Sequence, residues 1–515
     1  MSFPRSSGLL CHPTSFPSRY GVGDLGKGAY DFVDWLIVAR QQLWQVLPLG
    51  PTGYGDSPYQ SFSAFAGNPL LISPDGLAWS GLLPADTLVD VPDFPDHRVD
   101  FGPVIRFKQT LFHTSFEHFK AEATPEQRLG FESFRQSNAY WLADYGLFMA
   151  LKGYFGGGSW HGWPRDILLR QRNALDYYRE KLSDEARYHE FLQWVFADQW
   201  AALKSRANTH GIRIVGDIPI FVAEDSADVW SHPELFQLDA EGNPTVIAGV
   251  PPDLFSATGQ RWGNPHYRWD VMAADGYKWW RDRIRHTLTV VDIVRIDHFR
   301  GFEAAWEVPA AEETATHGRW AKGPSAALFT AIEDDLGKLP IIAEDLGIIT
   351  PEVDALRLQF GFPGMKILQF AFGMENNPQY LPHNYERNSI VYPGTHDNNT
   401  VIGYFNEAER VPAEKWNCLR YLASDGSDLS WDFIRAAWSS VSNQAVTCLQ
   451  DVMSLGAEAR MNYPSKESGN WQWRYTSQML TDAQAARLRE MTEIYERVPV
   501  VEKRGKQAAE GSQES

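Results

Sequence analysis

The chain has 515 residues, of which 43% are apolar and 22% are charged, the composition of an ordinary globular protein. Its net charge of −18 comes without any basic block, which disfavours nucleic acid and anionic membrane surfaces as partners. No stretch approaches the roughly 18 uninterrupted apolar residues of a membrane span, and no signal-peptide-like apolar segment follows the first residues.

A glycine-rich turn is the first local pattern along the chain. Residues 21–26 match the dinucleotide-binding pattern G-x-G-x-x-G and precede a helical apolar periodicity. A loop, and not a strand, comes before them, and no acidic residue ends a second strand about twenty positions later. We therefore predict a turn here and no nucleotide cofactor.

The scaffold begins with a predicted strand over 42–49, which leads into a loop of turn-forming residues over 50–60. Between about 73 and 165 the pattern changes to loops and helices, which predicts an inserted subdomain. Residues 223–267 are rich in Gly, Pro and Trp, and they predict an irregular, inserted active-site loop region. Long segments without regular structure inside a compact domain are usually functional, or they indicate that a structural element was wrongly assigned.

From residue 184 onward the pattern predicts helices that alternate with short apolar strands. The predicted helices cover 184–210, 277–288, 324–336, 351–360, 413–423 and 431–449, and the predicted strands cover 212–222, 290–296, 339–343, 366–372 and a run that begins at 389. This alternation predicts a single α/β domain over 1–500, a (β/α)8 TIM barrel with the two insertions above. The polar segment 502–515 is predicted to be a disordered tail.

Acidic residues stand at the ends of three of these strands. Asp297, Glu344 and Asp397 each follow a short apolar run, and a helix separates each from the next. The strand over 212–222 presents a further acid, Asp217. Because parallel α/β folds carry their chemistry at the carboxyl ends of the strands, three such ends in series predict a site.

Arg295 and Asp297 point to the same side of their strand, because side chains alternate along a strand. A guanidinium beside a carboxylate favours the ionised acid, so the pair predicts a deprotonated Asp297. The alternative is a structural Arg–Asp ion pair that closes a loop, since structural pairs perturb carboxylates as well.

Two carboxyl groups, one charged and one protonated, are the groups that cleavage of a glycosidic bond requires. Asp297 suits the charged role. Glu344 follows apolar residues and has no basic neighbour in sequence, so desolvation and a nearby Asp would raise its pKa and suit it to the acid role. Asp397 would bind hydroxyl groups and stabilise the positive charge of the transition state.

Other residues near these strand ends allow more than one interpretation. His298 and His396 are candidate donors to substrate hydroxyl groups, and ordinary hydrogen-bonded histidines are the alternative. Clustered acids can also hold a metal, but no H-x-x-x-H or comparable ligand spacing occurs, so no metal is expected. Several of the 20 tryptophans stand beside Gly, Pro and polar residues, which predicts partly exposed rings with flat apolar faces for sugars.

Segments at the three strand ends resemble the catalytic segments of the α-amylase clan: Arg-Ile-Asp-His over 295–298, Ala-Glu-Asp-Leu-Gly over 343–347 and Thr-His-Asp over 395–397. The segments over 15–26, 54–59, 216–222, 250–264 and 469–474 resemble the amylomaltases, or 4-α-glucanotransferases, in particular. Thr-His-Asp alone has little specificity. The fifteen-residue segment over 250–264, combined with the three strand ends, is specific, and the resemblance covers nearly the whole chain.

The resemblance implies a retaining double displacement on α-1,4-glucans that needs no cofactor. It implies that Asp297 is the nucleophile, Glu344 the acid/base and Asp397 the transition-state stabiliser. The candidate substrate-binding residues are Tyr54, Ser57, Tyr59, Asp217, Asp253, Gln260, Trp262, Arg295, His298 and His396.

The expected partners are α-1,4-glucans and maltooligosaccharides, with glucose as an acceptor. The match starts within the first ten residues, which leaves no room for a transit peptide or an N-terminal starch-binding module and favours the compact bacterial form and the cytoplasm. Three widely spaced cysteines, Cys11, Cys418 and Cys448, fit reduced thiols in a reducing compartment. Two alternatives remain open, a hydrolase of α-glucans and a non-catalytic glucan-binding protein on the same scaffold.

Overall fold

The computed structural model describes residues 3–252, 256–373, 377–408, 410–464, 466 and 468–498. Asp253 and the predicted tail over 502–515 lie outside the described residues. The side chain of Tyr54 lies outside the description as well.

Strands and helices alternate along most of the chain, with a run of helices between the second and third strands. The strands are β1 (Ser6–Leu10), β2 (Leu43–Gln45), β3 (Arg213–Pro219), β4 (Val246–Val250), β5 (Gln260–Pro265), β6 (Ile293–Asp297), β7 (Ala304–Pro309), β8 (Arg319–Lys322), β9 (Ile341–Ala343), β10 (Gly364–Ile367), β11 (Ser389–Tyr392) and β12 (Gln444–Cys448). The helices are α1 (Lys27–Val38), α2 (Pro74–Trp79), α3 (Phe101–Glu122), α4 (Pro125–Ser137), α5 (Leu142–Tyr154), α6 (Arg165–Leu168), α7 (Arg172–Lys181), α8 (Ser183–Thr209), α9 (Ala227–Ser231), α10 (Trp269–Ala274), α11 (Lys278–Val290), α12 (Ala326–Leu336), α13 (Pro351–Gln359), α14 (Val401–Asn406), α15 (Pro412–Leu422), α16 (Leu429–Ser439), α17 (Leu449–Val452) and α18 (Asp482–Ile494).

Eight parallel strands form one sheet in the order β10-β11-β12-β1-β2-β3-β6-β9. Within this sheet each strand therefore lies beside the sheet strand that precedes it along the chain, and β1 lies between β12 and β2. A hydrogen bond of 3.0 Å from the Ala343 N–H to the Pro363 carbonyl joins the two outer strands and closes the sheet. The fold is the predicted (β/α)8 barrel, with its strands buried because parallel sheets are covered on both faces.

A second, antiparallel sheet of four strands, β5-β4-β7-β8, stands beside the barrel. Its first two strands lie inside 223–267, the segment predicted to be irregular, so that part of the prediction is wrong. The reason is non-local pairing: β4 pairs with β7, which comes only after the barrel strand β6. β4 also pairs with β5, but both runs are short and contain a glycine, which lowers their local strand signal.

Two barrel strands, β1 and β12, were not among the predicted strands. β12 lies inside the predicted helix over 431–449, which in fact ends with α16 at Ser439. β1 contains Gly8, which weakens a strand locally but is required here, because a Cβ at Gly8 would collide with the Leu43 carbonyl of β2. The predicted strand over 366–372 also ends early, at Ile367, and a 3-10 helix follows it.

Between β2 and β3 the chain forms helices α2–α8, and α5 of this run packs against α8. The boundaries of an inserted subdomain at about 73–165 stay a prediction. Trp280 and Ile284 of α11 are buried in the main core, as their four-residue spacing predicts. The three cysteines are buried and free of disulfides. No helix in the described ranges is long and apolar enough to cross a membrane.

Candidate active site

Arg295 is the centre of the charged cluster at the carboxyl end of the barrel. The pairing of β3 with β6 sets Asp217 directly opposite Arg295. One guanidinium nitrogen donates to Asp217 Oδ2 at 2.5 Å and the other terminal nitrogen donates to Asp297 Oδ1 at 2.9 Å. Arg295 is buried, so the guanidinium is locked between the two carboxylates.

Asp297 lies at the end of β6 with its side chain partly open to the cleft. Burial is the largest influence on this carboxyl and raises its pKa to about 6, although Arg295 opposes the shift and Asp217 and Asp397 add to it. Arg295 is thus paired with Asp297, as the sequence predicts. The pKa of Asp297 is nevertheless raised, because burial and the charges of Asp217 and Asp397 outweigh the effect of a guanidinium that Asp297 shares with Asp217. The carboxyl still ionises below neutral pH.

Glu344 follows β9, the strand beside β6. Its Oε2 accepts a hydrogen bond from the His298 N–H (2.7 Å) and its Oε1 accepts one from the Leu346 N–H (2.8 Å). Burial and then the charge of Asp297 raise the pKa of Glu344 to about 8, against the smaller opposing effects of Arg295 and these two N–H groups. The direction and both causes are those expected from the sequence.

His298 has a left-handed backbone (φ 55°), a conformation that residues other than glycine seldom adopt. This conformation points the His298 N–H at Glu344, and such strain tends to occur at functional sites. Burial, with Arg300 and His266 nearby, lowers the pKa of His298 to about 3, so the ring is neutral. Its Nε2 has no hydrogen-bond partner among the described residues.

Trp262 of β5 lies against the His298 ring, edge to face, with ring centroids 4.8 Å apart. Its indole N–H donates to Gln260 Oε1 at 3.2 Å, which fixes the indole from the same strand. The antiparallel sheet therefore delivers an aromatic ring to the edge of the acid cluster.

Asp397 lies in the loop after β11, and its side chain is 45% exposed. Asn462 Nδ2 donates to Asp397 Oδ1 at 2.7 Å. Arg460 donates to the main-chain carbonyl of Asp397, also at 2.7 Å. On the other side, His396 Nε2 lies 3.3 Å from Asp397 Oδ2.

Tyr59 connects the two acidic sides of the cleft. Its hydroxyl donates to Asp217 Oδ2 at 2.9 Å and lies 2.7 Å from His396 Nε2. Since the hydroxyl has one hydrogen, His396 must carry its proton on Nε2 to complete this chain of bonds. The Tyr59 and His396 rings are stacked 5.4 Å apart, and Trp471 packs on both, so the three rings form an aromatic wall.

The structure brings eight of the predicted site residues into one connected cluster, and Trp262 contacts it through His298. These eight are Tyr59, Asp217, Arg295, Asp297, His298, Glu344, His396 and Asp397. Ser57 and Gln260 are connected to it through Tyr59 and Trp262 respectively. Asp217 is a supporting residue and not an exposed contact, because its side chain is wholly buried beneath Tyr59 and Arg295.

Sequence reasoning missed three residues that touch the cluster: Arg460, Asn462 and Trp471. Trp471 stands in the tryptophan-rich segment over 469–474, which the resemblance includes without assigning a role. Arg460 and Asn462 have no local signal, since the acid that they contact is about sixty residues away in sequence.

The acid cluster, and not the volume of a cavity, identifies the site. A cavity of about 570 Å³ lies behind it, between strands β2 and β3 and helices α8 and α11, and none of the three acids lines it. No group of three or more His, Cys, Asp or Glu side chains in the described ranges is arranged to hold a metal ion.

Known proteins resemble this chain along most of its length. The family model described as 4-alpha-glucanotransferase matches residues 11–481. A 4-alpha-glucanotransferase of Thermus thermophilus is 53% identical over 97% of this chain and 100% of its own length. A chloroplastic/amyloplastic 4-alpha-glucanotransferase of Arabidopsis thaliana is 41% identical over 96% of this chain and 86% of its own length. The solved amylomaltase of Streptococcus agalactiae, in complex with acarbose, is 40% identical with a TM-score of 0.92, covering 96% of this chain and 99% of its own.

Proposed function

The chain belongs to the 4-α-glucanotransferase family, and from this premise we propose that its acid cluster transfers α-1,4-glucan segments by a double displacement at Asp297. One observation carries the proposal. Two carboxyl groups from adjacent strands share a buried cleft, and the pKa of Glu344 is raised above that of Asp297. The pair is therefore stable with one carboxyl charged and the other protonated, which is the state that glycosidic cleavage requires.

In the first step, Asp297 attacks the anomeric carbon of the donor while Glu344 protonates the leaving oxygen. The new ester removes the negative charge of Asp297, which is the second largest influence that raises the pKa of Glu344. Glu344 can then hold its charge and accept a proton from the incoming hydroxyl. The same residue thus acts as acid in the first step and as base in the second.

Asp397 and the aromatic wall act on the sugar ring at which both steps take place. The partly exposed Asp397 carboxylate stabilises the positive charge of the oxocarbenium-like transition state. The partly exposed Tyr59 ring, which is backed by the buried His396 and Trp471 rings, gives that sugar an apolar face. The substrates are α-1,4-glucans and maltooligosaccharides, and glucose serves as an acceptor.

Incubation with maltotriose tests the proposal and separates it from the alternatives. Thin-layer chromatography should show glucose together with oligosaccharides longer than maltotriose, since transfer lengthens one chain as it shortens another. Glucose and maltose without longer products would indicate an α-glucan hydrolase. Complete inactivity on maltooligosaccharides would indicate a non-catalytic glucan-binding protein.

The pH dependence of kcat/KM should be bell-shaped, with both limbs near neutrality. Activity should fall below about pH 6, where Asp297 becomes protonated and loses its nucleophilic charge. It should also fall above about pH 8, where Glu344 loses the proton that the leaving group needs. Because the proton of Glu344 gives rise to the alkaline limb, Glu344→Gln should remove that limb when the rate is measured with an activated donor, whose leaving group needs no proton. An alkaline limb that persists in that variant would contradict this assignment.

Transfer in place of hydrolysis requires that an acceptor sugar outcompete water for the ester on Asp297. Orientation of the acceptor and exclusion of water can supply several kcal/mol of that preference. The proposed cover is the segment over 249–263, which comprises the end of β4, the start of β5 and the residues between them. Residues 253–255, with the candidate contact Asp253, lie outside the described part of it. Trp262 lies within it and contacts His298, whose N–H holds Glu344.

We therefore expect Trp262→Ala to lower transfer more than hydrolysis, because it removes an acceptor platform and leaves the three acids in place. At fixed maltotriose, the ratio of new reducing ends to transferred glucose should rise. Trp79→Ala is the matched control, since Trp79 is 78% exposed on α2 and is not one of the cluster residues. Equal losses of transfer and hydrolysis would show that Trp262 binds only the donor.

A further inference from the structure

Asp397 is held by a segment of the chain that follows the last barrel strand. Asn462 Nδ2 donates to Asp397 Oδ1 and Arg460 Nη2 donates to the Asp397 carbonyl, each at 2.7 Å. Arg460 Nε donates in turn to the Asn462 carbonyl at 2.7 Å. One arginine therefore ties the main chain of the acid to the main chain of the residue that binds its carboxylate.

The same segment returns to the cleft a few residues later. The Trp471 N–H donates to the Met461 carbonyl at 2.8 Å. The Trp471 ring packs against Tyr59 and His396, so the segment meets the site at both of its ends. In between, Asn470 Oδ1 accepts from the Tyr463 N–H at 2.9 Å and keeps the two ends together.

Asp397 needs such support because its carboxylate is partly exposed and its terminal torsion has a broad energy minimum. The Asn462 amide fixes Oδ1 and leaves Oδ2 on the side of His396. An amide is also neutral, so it orients the acid without cancelling its negative charge. The cation of Arg460 contacts the main-chain carbonyl of Asp397 and not its carboxylate.

We propose that Asn462 is a positioning residue, which aims the charged oxygen of Asp397 at the sugar in the transition state. The inference rests on the proposed function, because it takes Asp397 as the group that stabilises that transition state. It predicts a defect in turnover and not in ground-state binding, since the orientation matters most when positive charge develops.

Asn462→Ala should lower kcat on maltotriose by about ten- to hundredfold with little change in KM, the scale expected for a misplaced catalytic group. Lys466→Ala is the matched control: this exposed lysine lies on the same segment and stacks on Tyr463 without contacting the acids. Thermal melting of both variants separates a local defect from unfolding. A wild-type kcat in Asn462→Ala, or a loss that follows a lowered melting temperature, would overturn the proposal.

Asn462→Asp gives a second and sharper measurement. Two adjacent carboxylates repel, so one of them binds a proton more readily, and the protonated carboxyl can then donate to Asp397 as the amide does. The charged or titratable groups that act on Asp397 or respond to its charge are Tyr59, Asp297, His396, Cys448 and Arg460, and the substitution leaves all of them in place. The ratio of variant to wild-type activity should therefore rise as the pH falls from 8 to 5.

A ratio that is constant across that pH range would overturn the proposal. Asp397→Asn distinguishes this failure from failure of the proposed function. If Asp397→Asn is inactive while Asn462→Ala and Asn462→Asp behave as wild type, only the positioning role is wrong. If Asp397→Asn itself turns over at the wild-type rate, the role of Asp397 in the proposed function is wrong as well.

Discussion

Asp297→Asn is expected to lower turnover of maltotriose by more than the roughly 10²–10³-fold loss that follows removal of one stabilising hydrogen-bond donor. The amide has nearly the same shape as the carboxylate but cannot form the glycosyl ester. Arg295 keeps its bond to Asp217, so the floor of the site should survive. Steady-state rates and thermal melting, measured on the same preparation, test both halves of the expectation.

Asp292→Asn is the matched control at the opposite end of the same strand. Asp292 Oδ2 accepts hydrogen bonds from the Ile214 N–H and Asn208 Nδ2, which are structural partners away from the cleft. Its replacement should lower the melting temperature and leave turnover close to the wild-type value. An Asp297→Asn protein that keeps a tenth of wild-type activity would exclude Asp297 as the nucleophile.

Glu344→Gln is expected to produce a loss that depends on the leaving group. With maltotriose as donor, turnover should fall at least as far as in Asp297→Asn, because the sugar oxygen cannot leave without a proton. With maltotriosyl fluoride, ester formation should continue, since fluoride departs without general acid catalysis. The ester should then accumulate, because no base activates the acceptor, and mass spectrometry should find the added sugar on the peptide that carries Asp297.

Glu344→Gln changes the hydrogen bonding of the buried site as well as its charge. Glu344 accepts two backbone N–H bonds, and an amide can accept only with its oxygen, so one buried N–H loses its partner. Such a loss costs about 1–3 kcal/mol of stability, which thermal melting will report separately from the kinetics. Azide, which needs no base, should release the trapped ester and restore turnover. Equal losses with maltotriose and with the fluoride would remove Glu344 from the acid role.

The positions of the three acids of the cluster were predictable because each stands at or shortly after the end of a short apolar strand. The apolar content of a short run, and the position of an acid relative to that run, can both be read from neighbouring residues in the sequence. β6, β9 and β11 each contain a buried, mainly apolar run that precedes the acid. The helices between them follow from periodicity in the same way. The alternation, with the acids at strand ends, predicts the barrel, and the resemblance of whole segments predicts the family.

Strands that depend on their neighbours were not predictable in this way. β12 is buried between β1 and β11, and its short run after α16 continues the apolar pattern of that helix. β1 has a glycine where β2 approaches, which lowers its local strand signal. In both cases the strand is stabilised by partners distant in sequence, and no local pattern contains that information.

The sequence by itself determined the fold class, the family and the positions of the acids, because strand ends and family-like segments can each be recognised from a short stretch of neighbouring residues. Only the tertiary structure decided the electrostatics of those acids. Arg295 is shared between Asp217 and Asp297, and burial then outweighs it, so the pKa of Asp297 rises where the local pair alone predicts a fall. The contact of Asn462 with Asp397 was decided in the same way, since only folding brings the segment after β12 back over the cleft.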